Sequence, residues 1–508
     1  MTQYLYGAKV QGIQAYIFET NKLKDIGGAS ELIESLSGER FETFFKEVGL
    51  SYEEAQLLRN AAGEISYLFK DQASCAAVVR NFEHYIATNM PGLTVSQAVV
   101  AVEGDQPDLK TASREVNGLL QIQRNRSPPP NELGWMISER ARRTGRPGVE
   151  EDQKGGLIDR RQQSKRNMAN HRRLHDKLIG DTHPFEKEDF AFELEDITNK
   201  REGAWLAVVH ADGNNLGKLI QQLLQKLPPG KVKEGYRQFS TTLEVATVAA
   251  AQAAYKKLLG EIEKEEREKI IEGKVKLPIR PVVIGGDDLT VILRAEHAIA
   301  FTEAYLAAFE KETEGKFKEY ARDFGVEQYF ANGLTACAGI AIIKPKYPFH
   351  YAADLAEELC SWTKNIAKKI DEKHTPSSLH FHKVQASFVE DYKDIIEREL
   401  TTIDDRRMTA GPYFVNDSPK GYLTVKQLLR YIEVLGKNDT PAGPLRDYLG
   451  ELRVDAAAAA QKMDRIRDLN KHATDELNLR DGKLFLQRGD NTKASTHLYD
   501  AIQLANLL

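Results

Sequence analysis

Three aspartates carry the chemistry legible in this chain. Asp212 closes the apolar run of LAVVHADGNNLGKL, and Asp287 and Asp288 stand side by side in VVIGGDDLTVIL. Carboxylates packed together repel unless a cation neutralises them. Mg²⁺ (or Mn²⁺) takes oxygen ligands, typically one or two carboxylates plus substrate phosphates. Two such ions roughly 4 Å apart stabilise both the attacking and the leaving oxygen of an in-line displacement. Gly213 permits a turn after Asp212, and Asn214 and Asn215 lead into a helix whose first N–H groups attract phosphate. Gly285 and Gly286 let the chain bend tightly and let a bulky anion approach. A strand-end acid, a helix N-terminus and an acidic hairpin together describe a site for a metal-bound nucleoside triphosphate. Neighbouring strand residues point to opposite faces, so Asp287 and Asp288 share one aim only if the turn twists.

These motifs need a sheet to hold them. From about Glu202 to Val384 the apolar periodicity reads β-α-α-β-β-α-β-α-β, the order of a ferredoxin-like palm with a central hairpin. The helices are expected at NNLGKLIQQLLQKL, TTLEVATVAAAQAAYKKLLGEIEKEEREKII, AIAFTEAYLAAFEKETEGKF and YAADLAEELCSWTKNIAKKI. The first 115 residues form a second α/β unit: strand YLYGAKV, a helix from Ile13, a strand pair at EISYLFK and QASCAAVV, and strand QAVVAVEG. Pro128, Pro129 and Pro130 break the chain, a basic stretch follows, and from about Thr401 the pattern is helical, through LTVKQLLRYIEVL and PLRDYLGELRVDAAAAAQKMDRIRD. The expected class is α+β. It comprises two ferredoxin-like palm domains (1–115 and 201–400), a basic linker or insertion (116–200) and a C-terminal helical domain (401–508). The two α/β units read as a divergent internal duplication. The first lacks the acids, since AAGEISYLF replaces the Gly-Gly-Asp-Asp hairpin and Glu64 alone cannot hold two ions. Gly27-Gly28-Ala29-Ser30 reads either as a nucleotide-contacting turn or as a loop with a helix cap at Ser30.

With 508 residues, 41% hydrophobic and 29% charged, the chain is expected to be a globular, cytoplasmic protein of several domains. No apolar run approaches the ~20 residues that span a bilayer, and the first residues lack a secretory layout. Cys75, Cys337 and Cys360 are too few and too scattered for a disulfide framework or a zinc site. The net charge of −5 argues against coating nucleic acid wholesale, yet Ser138 to Lys177 holds an excess of Lys and Arg. That block reads either as a solvated linker helix or as a surface for phosphate backbones. His171 and His175, four apart in HRRLH, lack a third ligand and read as part of a basic helix.

ADGNNLG, the helix after it and IGGDDLTVIL together resemble the second palm domain of the large polymerase/cyclase subunit of type III CRISPR effector complexes. That palm is similar to GGDEF diguanylate cyclases and class III nucleotidyl cyclases. VQGIQAYIFETNKLKDIGGASELIE is similar to the family's first palm, with its Q-x-[FY]-I-F helix and K-L-[RK]-D-x-x-G-[GA]-S segment. MTAGPYF is similar to the stretch joining the second palm to the C-terminal domain. The resemblance implies Asp212 and Asp287 as chief metal ligands, with Asp288 supporting the second metal or the geometry. It implies Asn215 against the nucleotide, the amides of Gly213 to Asn215 on phosphates, and Lys364 as the cation balancing the triphosphate, with Lys368 competing for that role. It also implies a scaffolding first palm that lends a donor or acceptor pocket.

The activity so implied is synthesis of a cyclic oligonucleotide, cyclic oligoadenylate, from ATP as a second messenger in antiviral defence. Partners would be ATP and, through effector-complex subunits, crRNA and target RNA, or a second copy if the protein stands alone; no membrane is involved. Two alternatives are a non-catalytic scaffold subunit binding crRNA and protein partners, and a cyclic dinucleotide synthase of the GGDEF type. Asp288 stands where that last family usually has Glu. Many relatives carry an HD nuclease domain and clustered zinc cysteines. The first palm here begins at residue 4 and its linker has no cysteine, so neither DNase activity nor zinc is expected.

Overall fold

The computed structural model describes residues 2–61, 63–104, 108–125, 137–152, 155–180, 189–385, 391–417, 419, 421–480, 483–488 and 493–507. The proline run at 128–130 lies outside them. β1 (Thr2–Gln11), β2 (Leu57–Ala61), β3 (Glu64–Phe69) and β4 (Thr94–Glu103) form an antiparallel sheet in the order β2-β3-β1-β4. Helix Leu109–Arg124 crosses the expected boundary at 115 and lays Leu109, Ala112, Val116 and Leu120 against Leu5, Ala98 and Val102 of this sheet. Gly7 lies beneath it, where a Cβ would meet Val116 at 2.3 Å.

β5 (Gly148–Glu151) and β6 (Leu157–Asp159) make a small ribbon. The second palm then repeats the first. β7 (Leu206–Gly213), β8 (Ile279–Gly285), β9 (Asp288–Arg294) and β10 (Ala336–Ile343) pair in the order β8-β9-β7-β10, the counterpart of β2-β3-β1-β4. The shared strand order supports the duplication more strongly than the residues do. β11 (Ser378–Lys383) runs parallel to β10, and helix Phe349–Ile370 makes the crossover that parallel pairing requires. β7 is buried on both faces, as its unbroken apolar run requires. Ala207, Val209 and Ala211 share a core with helices Val232–Glu261 and Ala298–Phe324; Leu206 and Val208 share another with helix Phe349–Ile370 and the first palm.

Several segments depart from the sequence reading. QASCAAVV is not a strand but the start of helix Gln72–Asn89; Asp71 caps it by accepting from the Ser74 N–H, and Cys75, Val78, Phe82 and Ile86 bury one face at helical spacing. The long helix ending in REKII is broken at Ile262, which is extended. PLRDYLGE and its continuation form two helices, Ala442–Glu451 and Ala456–Leu469, the second capped by Asp455. The C-terminal domain is not purely helical either. β12 (Tyr413–Phe414, from MTAGPYF) and β13 (Leu423–Thr424) extend the second palm's sheet to seven strands beyond β11. Gly27 and Gly28 lie inside helix Leu23–Ser35, with no nucleotide turn. A Cβ on Gly28 would stand 1.7 Å from the Lys165 carbonyl oxygen, so this glycine permits close helix crossing.

That crossing joins the basic block to the first palm, and much of the block's charge is neutralised there. Lys165, fully buried, donates to the Tyr16 carbonyl at 2.6 Å and to Glu19 at 2.9 Å. Arg146 and Arg161 converge on the same Glu19. Arg166 pairs with buried Asp25 at 2.9 Å, Arg173 with Glu39, and Lys177 with both Glu34 and Glu244. His171 and His175 do not form a pair: His171 turns to the Met168 carbonyl, and His175 packs on Phe190. Removing one partner of a buried ion pair leaves the other charge stranded, at about 3–5 kcal/mol. Glu19→Ala is therefore expected to lower the denaturant midpoint sharply. Glu19→Gln combined with Lys165→Met should recover much of the loss; equal loss in both variants would show that the charge pairing is not what matters.

Candidate active site

The register of the second sheet brings the acids together. Asp212 on β7 stands directly opposite Asp288, the first residue of β9, and Asp288 in turn pairs with Gly285 of β8. Gly286 and Asp287 are therefore the two loop residues of the hairpin. Gly286 has φ +61°, a positive φ at the first loop position of the kind a type II′ hairpin turn needs. This resolves the problem of aim. Asp288 shares the face of Asp212, while Asp287 comes from the turn and is free of strand alternation. One oxygen from each of the three carboxylates lies within 4.8 Å of the others, the only such cluster of His, Cys, Asp or Glu among the described residues. Gly213 is required by this closeness: a Cβ there would stand 2.2 Å from Leu216 and 3.0 Å from the Cβ of Asp287.

Lys364, from helix Phe349–Ile370, bonds Asp212 Oδ2 and donates to the Gly213 carbonyl at 2.9 Å. Burial is the largest single influence and opposes its charge, but Asp212 together with Cys360 and Cys337 holds the ammonium above its ordinary value. Lys368, one turn on, has no such bond. Asn214 donates to Thr335 Oγ1, just before β10, at 3.0 Å and to the Thr375 carbonyl at 3.4 Å, and Asn215 donates to Thr375 Oγ1 at 2.9 Å, so the two side-chain amides tie the strand end to the segments that lead into β10 and β11. Asn215 holds a left-handed conformation at the start of helix Leu216–Lys226. His210, on the same face as Asp212, meets Thr290 at 3.1 Å and is pushed down to about 4 by burial, so it is neutral. Thr247, which carries no sequence signal, pins the hairpin from below by donating to the Gly286 carbonyl at 2.6 Å.

Lys364 does not neutralise all three acids. Burial and Asp212 push Asp287 up to about 6, and burial with both neighbouring acids pushes Asp288 well above the carboxylate range. Clustered oxygen donors with surplus negative charge fit a hard divalent cation such as Mg²⁺ or Mn²⁺. The first palm does not fit one. The register position of Asp212 and Asp288 is there taken by Lys9 and Glu64, 3.7 Å apart, with Arg59 on Glu64 at 2.9 Å. Between the palms lies a cavity of about 570 Å³. Lys9, Arg59, Lys110, Arg114 and Arg124 line it from the first palm; Gly217, Gln221 and Tyr236 line it from the second.

A proton on Asp287 competes with a metal. Mn²⁺ affinity, measured by titration, should therefore rise as pH climbs through about 6; a flat profile between pH 5 and 7 would contradict the cluster. Asp288→Asn should raise metal-free stability by about 1 kcal/mol through relief of like-charge repulsion, while removing Mn²⁺ stabilisation.

Residues 205–374 match the family model described as Cas10/Cmr2, second palm domain. No curated protein matches the chain by sequence. Solved structures do match in fold. Csm1 of T. onnurineus has 14% identity and a TM-score of 0.57 over 99% of this chain and 69% of that one. Csm1-Csm4 cassettes in complex with AMPPNP (13% identity, TM-score 0.57) and with pppApA (14%, 0.54) cover the same shares. No helix among the described residues is long and apolar enough to cross a membrane. Residues 205–374, which carry the acidic site, are thus similar to the second palm domain of Cas10/Cmr2, and nearly the whole chain shares its fold with Csm1.

Proposed function

We propose that this chain is a metal-dependent nucleotidyltransferase that joins ATP molecules through 3′-hydroxyl attack on an α-phosphate and closes the product into a cyclic oligoadenylate. The observation that carries this reading is the cluster of Asp212, Asp287 and Asp288, with surplus negative charge and a lysine poised at its edge. These three carboxylates would hold divalent ions, which when bound supply the positive charge that activates the 3′-hydroxyl and steadies the departing pyrophosphate. Lys364 is placed to move its charge from Asp212 onto the triphosphate as substrate arrives. The free amides at the start of helix Leu216–Lys226 favour phosphate at the same edge. Asn214 and Asn215 act by holding this corner rigid, and Gly285 leaves space above it, since a Cβ there would meet nothing within 4 Å.

The cavity between the palms offers room for a second nucleotide and, beyond the Lys9 and Arg59 that pair with Glu64, three further cations in Lys110, Arg114 and Arg124, the pocket a metal-free first palm can lend. Csm1-Csm4 cassettes of similar fold were crystallised with AMPPNP and pppApA, which supports an adenine substrate and a linear intermediate. The same cassettes support a Csm4-like partner; contact with crRNA and target RNA through such a subunit is part of the proposal.

Incubation of the purified chain with radiolabelled ATP and Mg²⁺ or Mn²⁺, with and without partner subunits and target RNA, tests this reading. Cyclic adenylate products are expected. Asp287→Ala with Asp288→Ala should abolish them, and Lys364→Met should slow their formation about 10²-fold. Product that persists in the double variant would overturn the site. Absence of product from the wild type under all conditions, with partner binding intact, would favour the scaffold reading.

A further inference from the structure

A second cavity, of about 630 Å³, opens where helices Val232–Glu261 and Ala298–Phe324 of the catalytic palm meet helix Val425–Leu435 of the C-terminal domain. None of its lining residues belongs to the acidic site or to the cavity between the palms. Glu303 lines it at only 9% exposure, with no hydrogen bond or ion pair to any described residue. Its oxygens are not among the sealed, unpartnered atoms, so its remaining exposure opens into the cavity. Burial raises its proton affinity, and Lys257 and Lys426 oppose that from beyond ion-pair distance.

The other chemistry of the cavity is complementary. Lys257, Lys426 and Arg430 line it, each exposed and none engaged in an ion pair among the described residues, against one further acid, Glu433. Val415 and Leu429 supply apolar wall between these charges. An occupant must bring N–H donors to Glu303, an apolar body for the wall and anionic oxygens for the cations. An amino acid has the two charges but is too small for a space of this size, and an inorganic anion satisfies only the cations. A nucleoside phosphate meets all three demands, and its size falls in the range of ordinary ligand pockets.

We propose that this cavity is a second, metal-independent nucleotide site, taking a purine nucleotide whose base donates N–H groups to Glu303 and whose phosphates meet Lys257, Lys426 and Arg430. It lies where β12 and β13 tie the C-terminal domain to the catalytic sheet, so its ligand would bridge the two domains.

Calorimetric titration in EDTA of the full chain carrying the exposed changes Arg114→Glu and Arg124→Glu, with ATP, GTP and inorganic tripolyphosphate, tests the proposal, because removal of divalent ions silences the acidic site and the two changes disarm the cavity between the palms. A purine nucleotide should bind, and more tightly than tripolyphosphate. Glu303→Gln and, separately, the exposed-rim change Lys426→Glu should each weaken binding about tenfold or more. Asp287→Ala with Asp288→Ala should leave it unchanged. Absence of nucleotide binding in EDTA would overturn the proposal. So would binding that both cavity variants leave intact, or tripolyphosphate binding as tightly as nucleotide.

Discussion

Two aspartates face each other across neighbouring strands, an arrangement a sheet resists because like charges directly opposite repel. The register of β7 and β9 imposes it, and the hairpin turn adds a third carboxylate beside them. Much of the second palm can be understood as holding that unfavourable cluster in place. Thr247 anchors the turn, Gly213 allows the approach, and Thr335 and Thr375 fix the strand end through Asn214 and Asn215. Lys364 supplies one positive charge where the cluster needs more. Stability is given up locally, as the proposed cation site would require.

The first palm shows the same frame without that tension. Its four strands pair in the same order, but Lys9 faces Glu64 where the second palm sets Asp212 against Asp288. A matched ion pair calls for no metal. The cations that remain at its edge face the cavity between the palms, where they can serve a substrate's phosphates. The basic block that follows belongs structurally to this palm, with Glu19 drawing Arg146, Arg161 and Lys165 inward. Charge that looks solvated in a linear reading is here part of a domain junction.

The second palm was readable because its strands are long, apolar and bounded by turn residues, and because Asp212 and the hairpin acids mark the same sheet edge. Other features lay beyond sequence periodicity. QASCAAVV is short, small and apolar, and only the cap at Asp71 and the burial of Phe82 and Ile86, about three and four turns from the helix start, decide for helix. Gly27 and Gly28 suggest a ligand turn locally, yet the long-range approach of Lys165 explains them. Thr247 is one threonine in a 30-residue helix, and only the fold brings it beneath Gly286. β12 and β13 are two residues each, too short for any periodic signal.

The central claim is that the three carboxylates form a cation site. Anomalous diffraction from crystals grown with Mn²⁺ and a non-hydrolysable ATP analogue tests it most directly. Manganese is expected at roughly 2.1 Å from Asp212 and Asp287 oxygens, with Asp288 adjoining and Lys364 shifted from Asp212 toward the triphosphate. Nucleotide bound at this edge with no manganese at the acids, and Lys364 still paired to Asp212, would contradict it.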